Sequence, residues 1–181
     1  MKTLTILLLL IPTFLFSQQK SEVVELNGKS SGELYSHAKE WIAFNTNSGN
    51  LQIQVDNPTE QKIIGKEVKN ITYLLKNYPT YIDVNYAISL QFKDGKFKYA
   101  IDIKSIKYED GFEINFEDFK LITTKEGWDS YLGKTGLKPV FNKKVATEGN
   151  KNVFTLLNNN MDGLITGLTS YLKNGKQEIN W

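Results

Sequence analysis

Apolar and polar positions change period several times along the chain, and each change predicts an element. Val23, Val24 and Leu26 make a short first strand, ended by Asn27, Gly28 and Lys29. Leu34, Ala38, Trp41 and Ile42 then recur at helical spacing, with Glu33, Ser36, His37, Lys39 and Glu40 on the other faces. Ser30 followed by Glu33 is the spacing of a capping box, which satisfies amide donors at a helix start, so a helix is expected from there to about Phe44, with the polar run Asn45 to Asn50 as a turn. Leu51, Ile53 and Val55 alternate with Gln52, Gln54 and Asp56, the period of a half-buried strand. After a turn at Asn57 and Pro58, a strand from about Lys62 to Ile71 has Ile63, Ile64 and Val68 as apolar anchors, and Gly65 marks a bulge or a close backbone approach. Residues 76 to 80 read as a loop.

The strongest local signal is Ile82 to Tyr108, two long alternating runs around Asp94 and Gly95. A two-residue type I′ turn there sets Phe92 opposite Phe97, Leu90 opposite Tyr99, Ile88 opposite Ile101 and Tyr86 opposite Ile103. All eight side chains then share one face, and a slip of one residue would turn them all to solvent. The other face carries Asn85, Ser89, Gln91, Lys96, Lys98 and Asp102 and is expected to be wet.

From 109 to 150 the pattern loosens into a long connection in which glycines alternate with aromatic residues, Phe112, Ile114 and Phe116 adding a short strand. Helical spacing returns at about Asn152 and holds to Lys173 through Val153, Leu156, Leu157, Met161, Leu164, Ile165, Leu168, Tyr171 and Leu172, with Asn174 and Gly175 as the stop. Glycine inside a helix costs about 1 kcal/mol relative to alanine, so Gly163 and Gly167 are expected at a close approach to another element.

The order is strand, helix, four strands in meander, connection, helix. It predicts an α+β domain of two layers, an antiparallel sheet of about five strands packed by a short N-terminal helix and a long C-terminal one. The segment from about Val23 to Tyr108 also resembles a known family, the exported bacterial domain of unknown function with a TATA-binding-protein-like fold. The resemblance rests on Gly28-Lys29-Ser30, Glu33-Leu34-Tyr35, Ala38-Lys39-Glu40-Trp41, Lys62-Ile63-Ile64-Gly65-Lys66 and the Asp94-Gly95 hairpin. It implies a β-α-β4-α, TBP-like or helix-grip-like architecture and a secreted location, and it brings no catalytic residues. The fold name says nothing about DNA, because function resides in sites.

Ahead of this domain, Lys2, the apolar run Leu4 to Phe16 and the small residue Ser17 follow the order of a secretory signal, with a run too short for a membrane anchor. Residues 1 to 17 are therefore read as a signal peptide and 18 to 181 as one domain, periplasmic or secreted. The sequence contains no cysteine, which excludes disulfides, thiolate chemistry and a lipidation acceptor at the cut. All 22 basic residues are lysine against 20 acidic ones, and the signs alternate. Without the arginine fork, nucleic-acid binding is not expected.

Candidate chemistry is sparse. His37, the sole histidine, falls on the polar face of the first helix and reads as a solvated residue. Glu109 with Asp110, and Glu117 with Asp118, fit turn chemistry better than a cation loop. No cofactor, metal site or enzymatic activity is expected. The reading that remains is a binding module with a small apolar ligand between the sheet and the last helix, Tyr86 and Tyr99 supplying polar groups and Trp128 and Tyr131 a lid. The alternative is an envelope accessory domain that contacts a protein through the exposed sheet face or through 109 to 150.

Overall fold

The computed structural model of the chain describes residues 20–45, 51–75, 78–136 and 142–175. Its elements are β1 (Lys20–Glu25), α1 (Ser31–Asn45), β2 (Leu51–Asn57), β3 (Lys62–Leu75), β4 (Tyr78–Lys93), β5 (Lys96–Tyr108), β6 (Glu113–Asn115), α2 (Phe116–Leu121), α3 (Lys125–Thr135) and α4 (Lys143–Asn174). The sheet is antiparallel in the order β1-β5-β4-β3-β2, and β6 adds to β5. The predicted signal peptide, residues 46 to 50 of the first turn, and Pro139 and Phe141 lie outside the described residues.

The β4–β5 register is the one that alternation predicts, Phe92 against Phe97 through Tyr86 against Ile103. Ile88 and Ile101 are 3% and 1% exposed, so the apolar wall faces the core. The turn differs from expectation. Type I′ needs positive φ at both central residues, and here Gly95 has it (φ 75°) while Asp94 does not. The tip is instead shaped by what it docks on. Leu26 donates its amide to the Gly95 carbonyl (2.7 Å), and Gly95 donates to the Lys29 carbonyl (2.8 Å). Asp94 Oδ1 accepts from the Ser31 amide at 2.7 Å and so caps α1 from outside. Ser30 Oγ accepts from the Glu33 amide (3.2 Å) as predicted, but the Glu33 carboxylate binds Lys29 Nζ and does not close a capping box.

Bulges rephase two strands. In β2 the register shifts between Ile53 and Val55, which sends Asp56 to the inner face beside α1 and leaves Val55 outward. Simple alternation puts these two the other way round. Tyr35 Oη and Lys39 Nζ both donate to the inward Asp56 carboxylate, the lysine at 2.6 Å. Gly65 is a close approach, as expected, since a Cβ there would lie 2.8 Å from Leu51 Cδ1. The bulge itself is on the facing strand. The second shift, near Asn85, leaves Lys104 unpaired in β5 and keeps Ile106 on the buried side. In β3 the inward series is Ile63, Gly65, Glu67, Lys69, Ile71 and Tyr73, so of the expected anchors Ile64 and Val68 face outward. Of the expected loop from 76 to 80, Lys76 and Asn77 lie outside the described residues and the rest is strand. Leu74 pairs with Pro79 and Leu75 with Tyr78, which puts Tyr78 to Thr80 in β4.

Helices α1 and α4 cover the inner face. Leu34, Tyr35, Ala38, Trp41 and Ile42 are buried from α1, and Val153, Leu157, Met161, Ile165, Leu168 and Leu172 form the stripe of α4. Lys20 on β1 pairs with Asp162 on α4. The segment 109 to 150 is not an irregular connection: it holds β6, α2, α3 and the start of α4. Each helix carries a local cap, Asn115 accepting from the Asp118 amide, Thr124 from the Gly127 amide and Asn142 from the Lys144 amide. The last helix starts nine residues before its apolar spacing does, because its first buried positions are Thr147, Gly149 and Asn150. It stops at Gly175 as predicted, with the Gly175 amide donating to the Tyr171 carbonyl at 2.8 Å.

Candidate ligand cleft

On the inner face the register aligns Leu51 (β2), Glu67 (β3), Tyr86 (β4) and Ile103 (β5) in one row. Two residues along β3, Lys69 pairs with Val84 and shares this face. The described pairing of β2 with β3 ends at Leu51 and Glu67, and there α4 and the last turn of α1 span the sheet over a cleft of about 480 Å³. Trp41, Leu51, Met161 and Leu164 give it apolar walls, Glu67, Lys69 and Tyr86 its floor, and Asn45, Asn159 and Asn160 polar edges.

Tyr86 is 2% exposed and donates its hydroxyl to Glu67 Oε2. Burial first, and the carboxylate second, push this phenol well above its ordinary titration range, so it stays a donor. The other Glu67 oxygen and the Lys69 ammonium have no partner among the described residues. Asn45 and Asn160 each donate the side-chain amide to a helix carbonyl four residues back, Trp41 (3.0 Å) and Leu156 (2.9 Å), which leaves their oxygens as acceptors. The arrangement can hold a cationic donor, an anion and an apolar group at once.

Of the four tyrosine and tryptophan residues expected at the site, Tyr86 lines the cleft and the other three do not. Tyr99 is on the inner face nearer β1, its hydroxyl donating to Glu22 Oε2 at 3.0 Å; burial and then that carboxylate push it up to about 12. Tyr131 is buried in α3, its phenol raised by burial and then by the Asp118 charge. Trp128 is half-buried against the core, with a buried Nε1 that has no acceptor among the described residues. Helix α3 is tied to the start of α4 by Asp129 and Lys143, and about 24 Å of helix separates that point from Asn159. It cannot act as a lid here.

The cleft residues missed by alternation are Glu67 and Lys69. Their signal is a charge at two successive inward positions between Ile63 and Ile71, hidden because the strand was phased on Ile64 and Val68. His37 is half-buried, its ring edge-on to Tyr171 with centroids 6.4 Å apart, so it is less solvated than its helical face suggested. Asp110 accepts from the Phe112 amide at 3.0 Å, the turn chemistry expected of it. Gly163 meets nothing within 4 Å, and a Cβ on Gly167 would make ordinary contact with Trp41 at 3.6 Å, so the close approach expected of the pair is absent at the first. No described helix is long and apolar enough to cross a membrane, and no cluster of metal-ligating side chains occurs among the described residues.

Residues 21–109 match the family described as a domain of unknown function (DUF4468) with TBP-like fold. This segment belongs to that family. Two solved structures resemble the fold over most of the chain. One is a DUF4468 family protein from Bacteroides ovatus, with a TM-score of 0.58 and 15% identity over 83% of this chain and 85% of that one. The other is a TBP-like protein from Parabacteroides distasonis, with a TM-score of 0.53 and 16% identity over 83% of this chain and 92% of that one. At these identities the likeness is one of fold. No curated protein sequence matches the chain.

Proposed function

We propose that this DUF4468 domain is an exported, non-enzymatic binding module that holds a small molecule in the cleft between β3, β4 and α4. The observation that carries the reading is Gly163. It lies inside α4, where glycine costs about 1 kcal/mol against alanine, and it lines the cleft with open space where a side chain would be. Helix packing gains nothing from a missing side chain at this position; an open cleft does. The volume of about 480 Å³ suits a small ligand, such sites commonly running from about 300 to 1,000 Å³. The floor is more polar than a wholly apolar ligand requires, so the ligand is amphiphilic.

Native mass spectrometry of the purified protein tests this, with Gly163→Phe as the blocked comparison. A molecule that travels with the wild type and is lost from an equally folded variant is the expected result. A wild type free of any bound mass, in which Gly163→Phe changes no ligand response, would count against the cleft. Export is supported by the order Lys2, Leu4 to Phe16, Ser17, and N-terminal sequencing of the protein from its native envelope fraction should begin just after Ser17. The alternative contact surface at 109 to 150 has less support, because Tyr131 is buried and Trp128 half-buried.

A further inference from the structure

We propose that the cleft takes a zwitterion, an apolar α-amino acid or short peptide with both ends free, its amine held by Glu67 and its carboxylate by Lys69. The inference rests on the cleft reading above and adds the ligand's chemistry.

Between Ile63 (1% exposed) and Ile71 (5% exposed), the inward positions of β3 turn from aliphatic to acidic and then basic. Residues two apart on a strand face the same side at a spacing of about 6.6 Å. The two charges are therefore close enough to pair, yet Glu67 is engaged by Tyr86 and Lys69 by no described residue. Tyr86 fixes one oxygen of this cleft-lining carboxylate and leaves the other without a partner among the described residues. An ammonium has three donors to satisfy, and the oxygens of Asn45 and Asn160 provide further acceptors on the same cleft lining. Among the described lining residues Lys69 supplies the single cation, matched to one carboxylate. Trp41, Leu51, Met161 and Leu164 remain for an apolar side chain.

Other ligand chemistries leave part of the site unanswered. A wholly apolar molecule would strip water from two charges without replacing it. An anion without an amine faces the Glu67 carboxylate, and a cation without an acid faces Lys69. A neutral polyol leaves the lysine unused.

The probe is leucyl-leucine, compared with N-acetyl-leucyl-leucine and leucyl-leucinamide, followed by calorimetry and by amide shifts in NMR. The free dipeptide is expected to shift the amides of Glu67, Lys69 and Met161, and each cap to weaken binding at least tenfold. Glu67→Gln should weaken the free peptide about tenfold and abolish the penalty of acetylation. Lys69→Met should do the same for the amide cap. Both variants keep side-chain shape, and matching thermal melts establish that they fold. Equal affinity for capped and free peptides would overturn the charge assignment while leaving the cleft as a binding site. No shift at the cleft with millimolar leucyl-leucine would overturn the zwitterion itself, and the co-purification experiment judges the cleft independently.

Discussion

Phenols set against carboxylates recur through this molecule: the buried Tyr35 with Asp56, Tyr86 with Glu67 and Tyr99 with Glu22, and the half-buried Tyr171 with Glu40. Each ring fills apolar space while its hydroxyl meets a charge at the margin. Burial raises the Tyr86 and Tyr108 phenols far above the ordinary value near 10. A raised value in the folded state means stability that is complete below about pH 10 and is lost as pH climbs, because the unfolded chain ionises first; each such group removes about 1.4 kcal/mol per pH unit. Urea titrations from pH 9 to 11 should show this decline. Tyr86→Phe should make it shallower, at a cost near neutrality of about 1 to 2 kcal/mol for the lost hydrogen bond to a charged group. Two glycines should respond in opposite directions. A Cβ on Gly127 would lie 2.1 Å from the Leu121 carbonyl oxygen, so Gly127→Ala forces α2 and α3 apart at about 1 to 3 kcal/mol. Gly163→Ala meets open space and should stabilise by about 0.5 to 1 kcal/mol, chiefly by restricting the unfolded chain.

Elements whose buried side is apolar were legible in the sequence, and those whose buried side is polar were not. The facing of Ile88 and Ile101, the stripe Leu34, Ala38, Trp41, Ile42 and the run from Val153 to Leu172 all follow from period alone. The start of α4 does not, since Thr147 and Asn150 are buried polar residues whose partners come from elsewhere in the chain or from the helix itself. Asn150 accepts from the Tyr108 hydroxyl at 2.9 Å and donates to the Ile122 carbonyl at 3.3 Å, joining α4 to β5 and to the α2–α3 corner. Asn150→Leu should cost about 1 to 3 kcal/mol by orphaning both groups, and hydrogen exchange should show the loss concentrated in Lys143 to Lys151. Of the candidate site, Tyr86 was readable from its place on the apolar wall. Glu67 and Lys69 were not, because a charge at an inward position looks like a phase error until a cleft is seen beside it.

Across the whole molecule, α1 links the two outermost strands of the five-strand path, β1 and β2, while the β4–β5 hairpin reaches back to hold its first turn. Hydrogen bonds from Ser31 hold the Asp94 carboxyl below the usual carboxylate range. A lowered value means stability present above the unfolded value near 4 and lost as pH falls through the folded one. Melting temperatures from pH 6 to 2 should therefore fall less steeply for Asp94→Asn than for the wild type, from a lower starting point. The placement of β1 has a temporal side as well. Lys20 meets Ile101, so α1, β2, β3 and β4 must all be synthesised before the first strand has a neighbour. Pairing across such a sequence distance is slow, and pulse-labelling during refolding should find residues 20 to 25 protected last. Residues 20 to 25 thus stay accessible to whatever enzymes handle a newborn polypeptide until β5, more than halfway along the sequence, has been made.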